Sequence, residues 1–228
     1  MTDARAQILA HLPRAPQPEV QLPPATPAFD LPNAADQASQ FLQSALANGF
    51  TGDRVVGIGA SRLAVLATLR QAAIDRVYAS PLVDVAVPGL LDAMGMIGIE
   101  VVALDRDPLH IDQTIAQPKP VGMGLLVAIA AWADSGAVVL QFPVRRSALA
   151  YVWPPRTLVL LPRAHLFVSP RAWLDDLRST GRLLDTFQTD LSLVSGLSAT
   201  QDVASIPVAG VYGAGAIQIL LIEPEASL

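Results

Sequence analysis

Short apolar runs recur along this chain, each bounded by turn residues, and they constrain the fold more than any other feature. Ala137 to Leu140 is apolar throughout, and Thr157 to Leu161 and Ile217 to Ile222 are nearly so. Strands of that composition have both faces covered, as in a parallel sheet packed between helices. Further β-prone runs are Arg54 to Ile58, Asp75 to Tyr78, Val83 to Val87, Ile99 to Leu104, His165 to Val168 and Leu191 to Val194. Between the runs stand helix-length stretches. Ala38, Phe41, Leu42, Ala45 and Leu46 form an amphipathic stripe, capped by Asn33 or Asp36 and stopped by Asn48-Gly49. Leu63, Leu66 and Leu69 are in phase after a Gly59-Ala60-Ser61 turn. Pro88 and Pro170 open the helices Gly89 to Met96 and Arg171 to Ser179, the second turning Trp173, Leu174 and Leu177 inward. Gly98 and Gly181 close these two. Val121 to Ala131 is ambiguous: Gly122 and Gly124 favour a strand, while L-L-V-A-I-A-A also suits a buried helix, and its first half reads as a strand. The alternation predicts an α/β fold, a mostly parallel sheet flanked by helices on both faces.

The first 32 residues read as an arm and 33–228 as one domain. Ala4 to Leu12 has a short helical pattern, and prolines at 13, 16, 18, 23, 24 and 27 extend the chain after it. An arm wrapped on a partner and a loose tail both fit.

Composition then removes whole classes of function. Hydrophobic residues make up 52% and charged ones 15%, so a large buried sheet or an oligomer must hide apolar surface. No uninterrupted apolar run is long enough to span a bilayer, and Met1-Thr-Asp-Ala-Arg lacks a signal-peptide layout, so an intracellular protein is expected. A net charge of −5 without basic clustering argues against nucleic acid. With no cysteine, the chain forms no disulfide and supplies no thiolate to an iron–sulfur cluster. His11, His110 and His165 lack zinc-ligand spacing. Asp105, Asp107 and Asp112 lack the glycine and closing glutamate of a calcium loop. Of 15 basic residues only Lys119 is a lysine, and it lies in Q-P-K-P, an unpromising place for Schiff-base chemistry.

Several residues could carry chemistry. Asp134-Ser135-Gly136 is a turn signal at the entrance of the Ala137 strand, and as a pair of polar groups it also fits a ligand site. The Arg145-Arg146 pair precedes a weak helical stretch, Ser147 to Tyr151; guanidinium forks suit a small carboxylate. His165 could carry a proton, imidazole being the side chain suited to proton transfer at physiological pH; a neutral ring tied to a backbone carbonyl is the alternative. V-G-I-G-A-S at 56–61 falls short of a dinucleotide fingerprint, since Arg62 stands where the third glycine belongs. Gly59, Ser61 and Arg62 would still sit at a helix N-terminus, where anions bind; a purely structural turn is the alternative. Ser198-Ala-Thr200-Gln-Asp202 reads as a polar loop able to offer hydroxyls and a carboxylate, and Gly210, Gly213 and Gly215 permit close backbone approach.

Together, A-D-S-G-A at 133–137, Arg145-Arg146, L-L-P-R-A-H-L-F-V at 160–168, G-L-S-A-T-Q-D-V at 196–203 and G-V-Y-G-A at 210–214 resemble the LUD-domain family, in its lactate utilization protein C (YkgG-like) branch. The resemblance implies a NagB/RpiA/CoA-transferase-like α/β fold and a cytoplasmic role in oxidising L-lactate to pyruvate beside iron–sulfur partner proteins. The glycine loop also looks like the phosphate loop of ribose-5-phosphate isomerases on that fold. Departures are specific. Ser135 replaces the usual threonine, Ala199 an arginine, Ala204 a glutamate, Tyr212 a histidine, and Leu197, Gln201 and Ala214 a proline, an alanine and a proline.

Oxidising a 2-hydroxy acid needs a base and an electron acceptor. His165 is the expected base, with Asp134 and Asp202 as accompanying carboxylates. Gly59, Ser61, Arg62, Ser135, Gly136, Arg145, Arg146, Ser198 and Thr200 are the expected ligand contacts. Nothing in the chain supplies the acceptor, so clusters are expected only in partners and this chain is expected to hold substrate, a small carboxylate or phosphorylated molecule. The rivals are a sugar-phosphate isomerase using Asp84, an acyl or CoA transferase using Glu100, and a homo-oligomer with a decayed pocket.

Overall fold

The computed structural model describes residues 34–103, 121–142, 154–183, 189–197, 199–201, 207–209 and 213–225. The first half contains α1 (Ala34–Ala47), β1 (Thr51–Val56), α2 (Ile58–Gln71), β2 (Arg76–Ala79), α3 (Val83–Ala86), α4 (Leu90–Met96) and β3 (Glu100–Ala103). The second contains β4 (Met123–Trp132), β5 (Ala137–Phe142), β6 (Arg156–Pro162), a 3₁₀ turn (Arg163–His165), β7 (Leu166–Phe167), α5 (Pro170–Ser179), β8 (Asp190–Val194), β9 (Ala199–Gln201), β10 (Pro207–Ala209) and β11 (Ala216–Glu223).

Strands β1-β11-β6-β4-β2-β3 form a parallel sheet in that order. Alternation along β6 and β11 assigns its two sides. Val159, Leu161, Ile217, Ile219 and Leu221 pack in the cluster that contains Ala38, Phe41 and Ala45 of α1. Leu158, Leu160, Leu220 and Ile222 pack in another with Val65, Leu69, Val83, Leu90 and Met94 of α2, α3 and α4. Both faces are therefore covered, as the apolar strand composition requires.

Strand β4 belongs to two pairings at once. Its first half lies between β6 and β2, while its second half pairs antiparallel with β5 and, at Ala131 and Trp132, parallel with β7; β5 in turn pairs antiparallel with β8. The handover contains a bulge: Ala128 opposes Leu140 and Ala130 opposes Val139, so Ile129 is an extra residue. One extra residue inverts the parity of the strand. Before it, Leu126 and Ala128 face the α1 side; after it, Ala131 and Ala133 do. Ala130 and Trp132 consequently turn to a third cluster with Ala137, Val139, Trp173 and Leu177.

Several expectations are corrected. Val83–Ala86 is helical with Val87 as its C-cap, because Val83 and Val87 both bury fully in the cluster that holds Leu90, and this packing overrides β propensity. The first strand runs Thr51–Val56, shifted from Arg54 to Ile58, because Gly57 at φ +85 ends it and caps α2. Gly59, Ala60 and Ser61 are thus inside the helix. Its buried stripe is Ser61, Val65 and Leu69, and Leu63 is 70% exposed. Leu46 likewise leaves the α1 stripe, at 66% exposure. Asp36 lies within α1 and does not precede it. Residues 163–165 form a 3₁₀ turn, leaving only Leu166–Phe167 extended. Ala199–Gln201 pairs with Pro207–Ala209 as a hairpin, where a loop was expected. Ambiguous Val121 to Ala131 resolves as strand Met123–Trp132. The arm (1–32), Ser147 to Tyr151, the 105–112 aspartates, Lys119 and Gly210 lie outside the described residues. No helix among those described is long and apolar enough to cross a membrane.

Candidate functional site

A candidate site lies where β6 ends and β4 bulges. Pro162 terminates β6, and the chain turns through Arg163–His165 before re-entering the sheet as β7. Arg163 reaches Glu223 at the end of β11, Nε to Oε1 3.8 Å, and Arg54 of β1 meets the same oxygen at 3.0 Å. These ion pairs tie three neighbouring strands near their carboxyl ends, the side on which parallel sheets open their crevices.

His165 is fixed by Nδ1, which donates to the carbonyl of Ala128 at 2.7 Å. A carbonyl oxygen can only accept, so the neutral ring carries its proton on Nδ1 and its lone pair on Nε2. Ala128 is the residue just before the bulge, so the histidine anchors to the backbone at the break in the ladder. Bulges often re-aim side chains beside functional sites.

A cleft of about 350 Å³ opens beside this histidine. Ile129, Ala164, Phe167, Trp173 and Leu177 supply its apolar lining, and Gln141, His165, Asp176 and Arg182 its polar lining. Helix α5 builds one wall. Ser169 caps it, its Oγ accepting from the Ala172 N–H at 3.4 Å. Gly181 at φ +70 follows its end, and the Arg182 N–H donates back to the Leu177 carbonyl at 3.0 Å. That reversal lets Arg182 Nη2 donate to Asp176 Oδ2 at 2.8 Å and Nε to Thr180 Oγ1 at 3.0 Å. Trp173 leans on Trp132, ring centres 6.2 Å apart and planes at 48°, and Gln141 Nε2 donates to Thr189 Oγ1 at 2.9 Å.

Of the candidate site residues named from sequence that are among the described residues, His165 alone lines this cleft. Asp134 and Ser135 are exposed at the tip of the β4–β5 hairpin. Backbone groups there are held from two sides: Asp134 N–H donates to Val168 (3.2 Å), Asn48 Nδ2 donates to the Ser135 carbonyl (2.6 Å), and Ser44 Oγ donates to the Ala133 carbonyl (3.2 Å). Gly136, at φ +67, lies so close to α1 that a Cβ would run into the backbone of Ser44 and Ala45. The A-D-S-G-A motif therefore docks a helix.

Gly59, Ser61 and Arg62 sit in the first turns of α2, beyond β1. Ser61 is fully buried, and its hydroxyl donates to the Gly57 carbonyl at 2.7 Å. Arg62 Nη2 donates to the Pro88 carbonyl. Thr200 belongs to β9 by its backbone pairing with Val208. Arg145, Arg146, Ser198 and Asp202 lie outside the described residues. As for the rival enzymes, Asp84 is exposed in the first turn of α3, accepting from the Leu91 N–H at 3.5 Å, and Glu100 pairs with Arg76 at 3.0 Å. Among the described residues no three His, Asp or Glu side chains converge to hold a metal ion.

Gln141, Asp176 and Arg182 were not singled out from sequence. The six-residue separation of the last two is not helical spacing and becomes a contact only through the Gly181 reversal. Trp173 was legible only as an inward-facing helix residue.

No family model matches the sequence, and no curated protein matches it. Among solved structures, one described as that of a DUF162 family protein from Deinococcus radiodurans, at 1.70 Å resolution, is similar with a TM-score of 0.55. The match has 14% sequence identity over 84% of this chain and 99% of that one. At that identity the likeness establishes the α/β fold.

Proposed function

We propose that this chain is a divergent LUD-domain protein that holds a 2-hydroxy acid, L-lactate by the family resemblance, for oxidation by cytoplasmic partners that carry the iron–sulfur clusters. The resemblance in sequence motifs and the fold shared with a DUF162 protein, DUF162 being the LUD-domain family, support the family reading. The observation that carries the substrate-holding role is His165, locked by Nδ1 on the Ala128 carbonyl and lining an open cleft.

In this reading the substrate hydroxyl meets Nε2, the nitrogen that holds the lone pair. When the hydride leaves the substrate carbon, the hydroxyl proton passes to Nε2, and the imidazolium that forms keeps its Nδ1 hydrogen bond. The hydride, carrying both electrons, passes to an acceptor outside this chain, and the organic product is the 2-oxo acid. Arg182 is already oriented by Asp176 and Thr180, and it offers Nη1 to the substrate carboxylate.

The test isolates the tagged protein from its native cells, identifies what accompanies it, and assays the assembly for lactate-dependent dye reduction. Iron–sulfur partners should copurify, and activity should fall when this chain is omitted. His165→Gln should leave the assembly intact and reduce turnover by about 10²–10⁴-fold, the usual worth of a positioned base. Isolation of the chain alone, with lactate oxidation unaffected by its omission, would sink the reading.

A further inference from the structure

We infer that the cleft takes a 2-hydroxy acid with a second hydroxyl, on its third carbon, in preference to lactate, and that Gln141 receives the added hydroxyl. This rests on the substrate-holding reading and narrows its substrate class.

In β5, A-V-V-L-Q-F, Gln141 is the one polar residue. Val138, Leu140 and Phe142 pack in the cluster on the α1 side, whereas Ala137 and Val139 pack with Trp173 and Leu177. Alternation puts Gln141 on the second side, the one walled by α5, and there it lines the cleft. Its side chain is half-buried, and Nε2 donates to Thr189 Oγ1 at 2.9 Å. The amide oxygen Oε1 has no partner among the described residues. An acceptor drawn partly out of water and left open is met best by a hydroxyl of the ligand.

Charge narrows the ligand further. Of the described residues that line the cleft, Arg182 is the one permanent cation and Asp176 the one carboxylate, and they pair at 2.8 Å. With the substrate carboxylate on Arg182 Nη1 and its 2-hydroxyl on His165 Nε2, only the third carbon is left to place. A carboxylate on that carbon would find no second cation and would be repelled by Asp176. A methyl group, as in lactate, leaves Gln141 Oε1 unmet, and a hydroxyl donates to it. Sites that hydrogen-bond a substrate hydroxyl reject the analogue lacking it more strongly than apolar walls reject a missing methylene. In a cleft open to solvent the selection is at least about tenfold.

The probes are L-glycerate, L-lactate and L-malate, titrated calorimetrically into the full chain, with tryptophan fluorescence as a second readout. They differ only in the group on the third carbon: a hydroxyl, a hydrogen or a carboxylate. Glycerate should bind at least about tenfold more tightly than either of the others. Gln141→Met removes the acceptor and keeps the reach of the side chain, so in this variant glycerate and lactate should bind within about threefold of each other. Equal affinity for glycerate and lactate in the wild type overturns the inference, and that comparison needs no variant to fold. So does malate bound as tightly as glycerate, or a glycerate preference that survives Gln141→Met. Lactate bound as well as glycerate would leave the substrate-holding reading standing, whereas binding of none of the three acids overturns both.

Discussion

A hydrogen atom in place of a methyl group at Gly136 lets α1 reach the tip of the β4–β5 hairpin. Gly136→Ala meets two penalties, a left-handed backbone and a collision with the Ser44 and Ala45 main chain. It should cost about 2–4 kcal/mol. Gly181→Ala, at φ +70 with nothing within 4 Å of the added carbon, should cost only about 1–2 kcal/mol. Urea unfolding of the two variants checks the contrast, and equal midpoints would contradict the steric account. The turn at Asp134-Ser135-Gly136 was legible because its residues state their backbone preference locally. Its purpose was not, since the helix it receives lies about ninety positions away in sequence. Tyr78 yields a pH prediction. Burial pushes its phenol above the usual 10.0, with the Arg76 charge pulling the other way. The unfolded chain then loses this proton before the native one does, so stability is fully present below pH 10 and falls as pH rises through the native value. Subtracting the unfolding curves of Tyr78→Phe from those of the wild type should give a difference that is flat below that pH and declines above it.

At the level of elements, the bulge in β4 matters more than the side chain it carries. Straightening β4 with Ile129 retained would send Trp132 toward α1, whereas deleting Ile129 removes only the extra residue and leaves Ala131 and Ala133 toward α1 and Trp132 toward α5. Deletion of Ala131, beyond the bulge, should therefore abolish soluble folded protein by turning Trp132 toward α1, whereas deletion of Ile129 should leave a native-like fold. Near-ultraviolet circular dichroism, sensitive to the Trp132–Trp173 pair, distinguishes the two; native-like spectra for the Ala131 deletion, or their loss in the Ile129 deletion, would refute the parity argument. The sequence could not reveal this bulge. Strands β5, β6 and β11 are readable because apolar runs declare a covered strand, but the same property erases the sidedness of A-I-A-A. Where every position is apolar, none marks a face. Val83 to Val87 failed for a related reason: valine prefers strands in general, and only packing in the cluster that holds Leu90 made Val83–Ala86 helical here.

Across the molecule, stability should grade from the centre of the parallel sheet outward. Amides of Leu158–Leu161 and Ile219–Leu221 lie in strands flanked on both sides, and β1 is largely exposed and pairs only with β11 among the described residues. Native-state hydrogen exchange should find β1 at least about 100-fold faster than β6 and β11; uniform protection would contradict the gradient. The fold class was legible from alternating helix and strand signals, but the strand order was not, because local pattern carries no information about which strands become neighbours. The cleft was hidden for the same reason, since Gln141, His165, Asp176 and Arg182 come from separate elements. The sheet's own order has a cost during synthesis. Strand β1 finds its neighbour in β11, and Thr51 is 166 residues from the Ile217 carbonyl that its hydroxyl meets. At a ribosomal rate of about 5–20 residues per second, roughly 8 to 33 seconds separate the emergence of the two. Throughout that interval the early strand has no mate, and the apolar face of α1 lacks the part of its floor made by β11. This end of a nascent chain is where a holding chaperone would find its substrate.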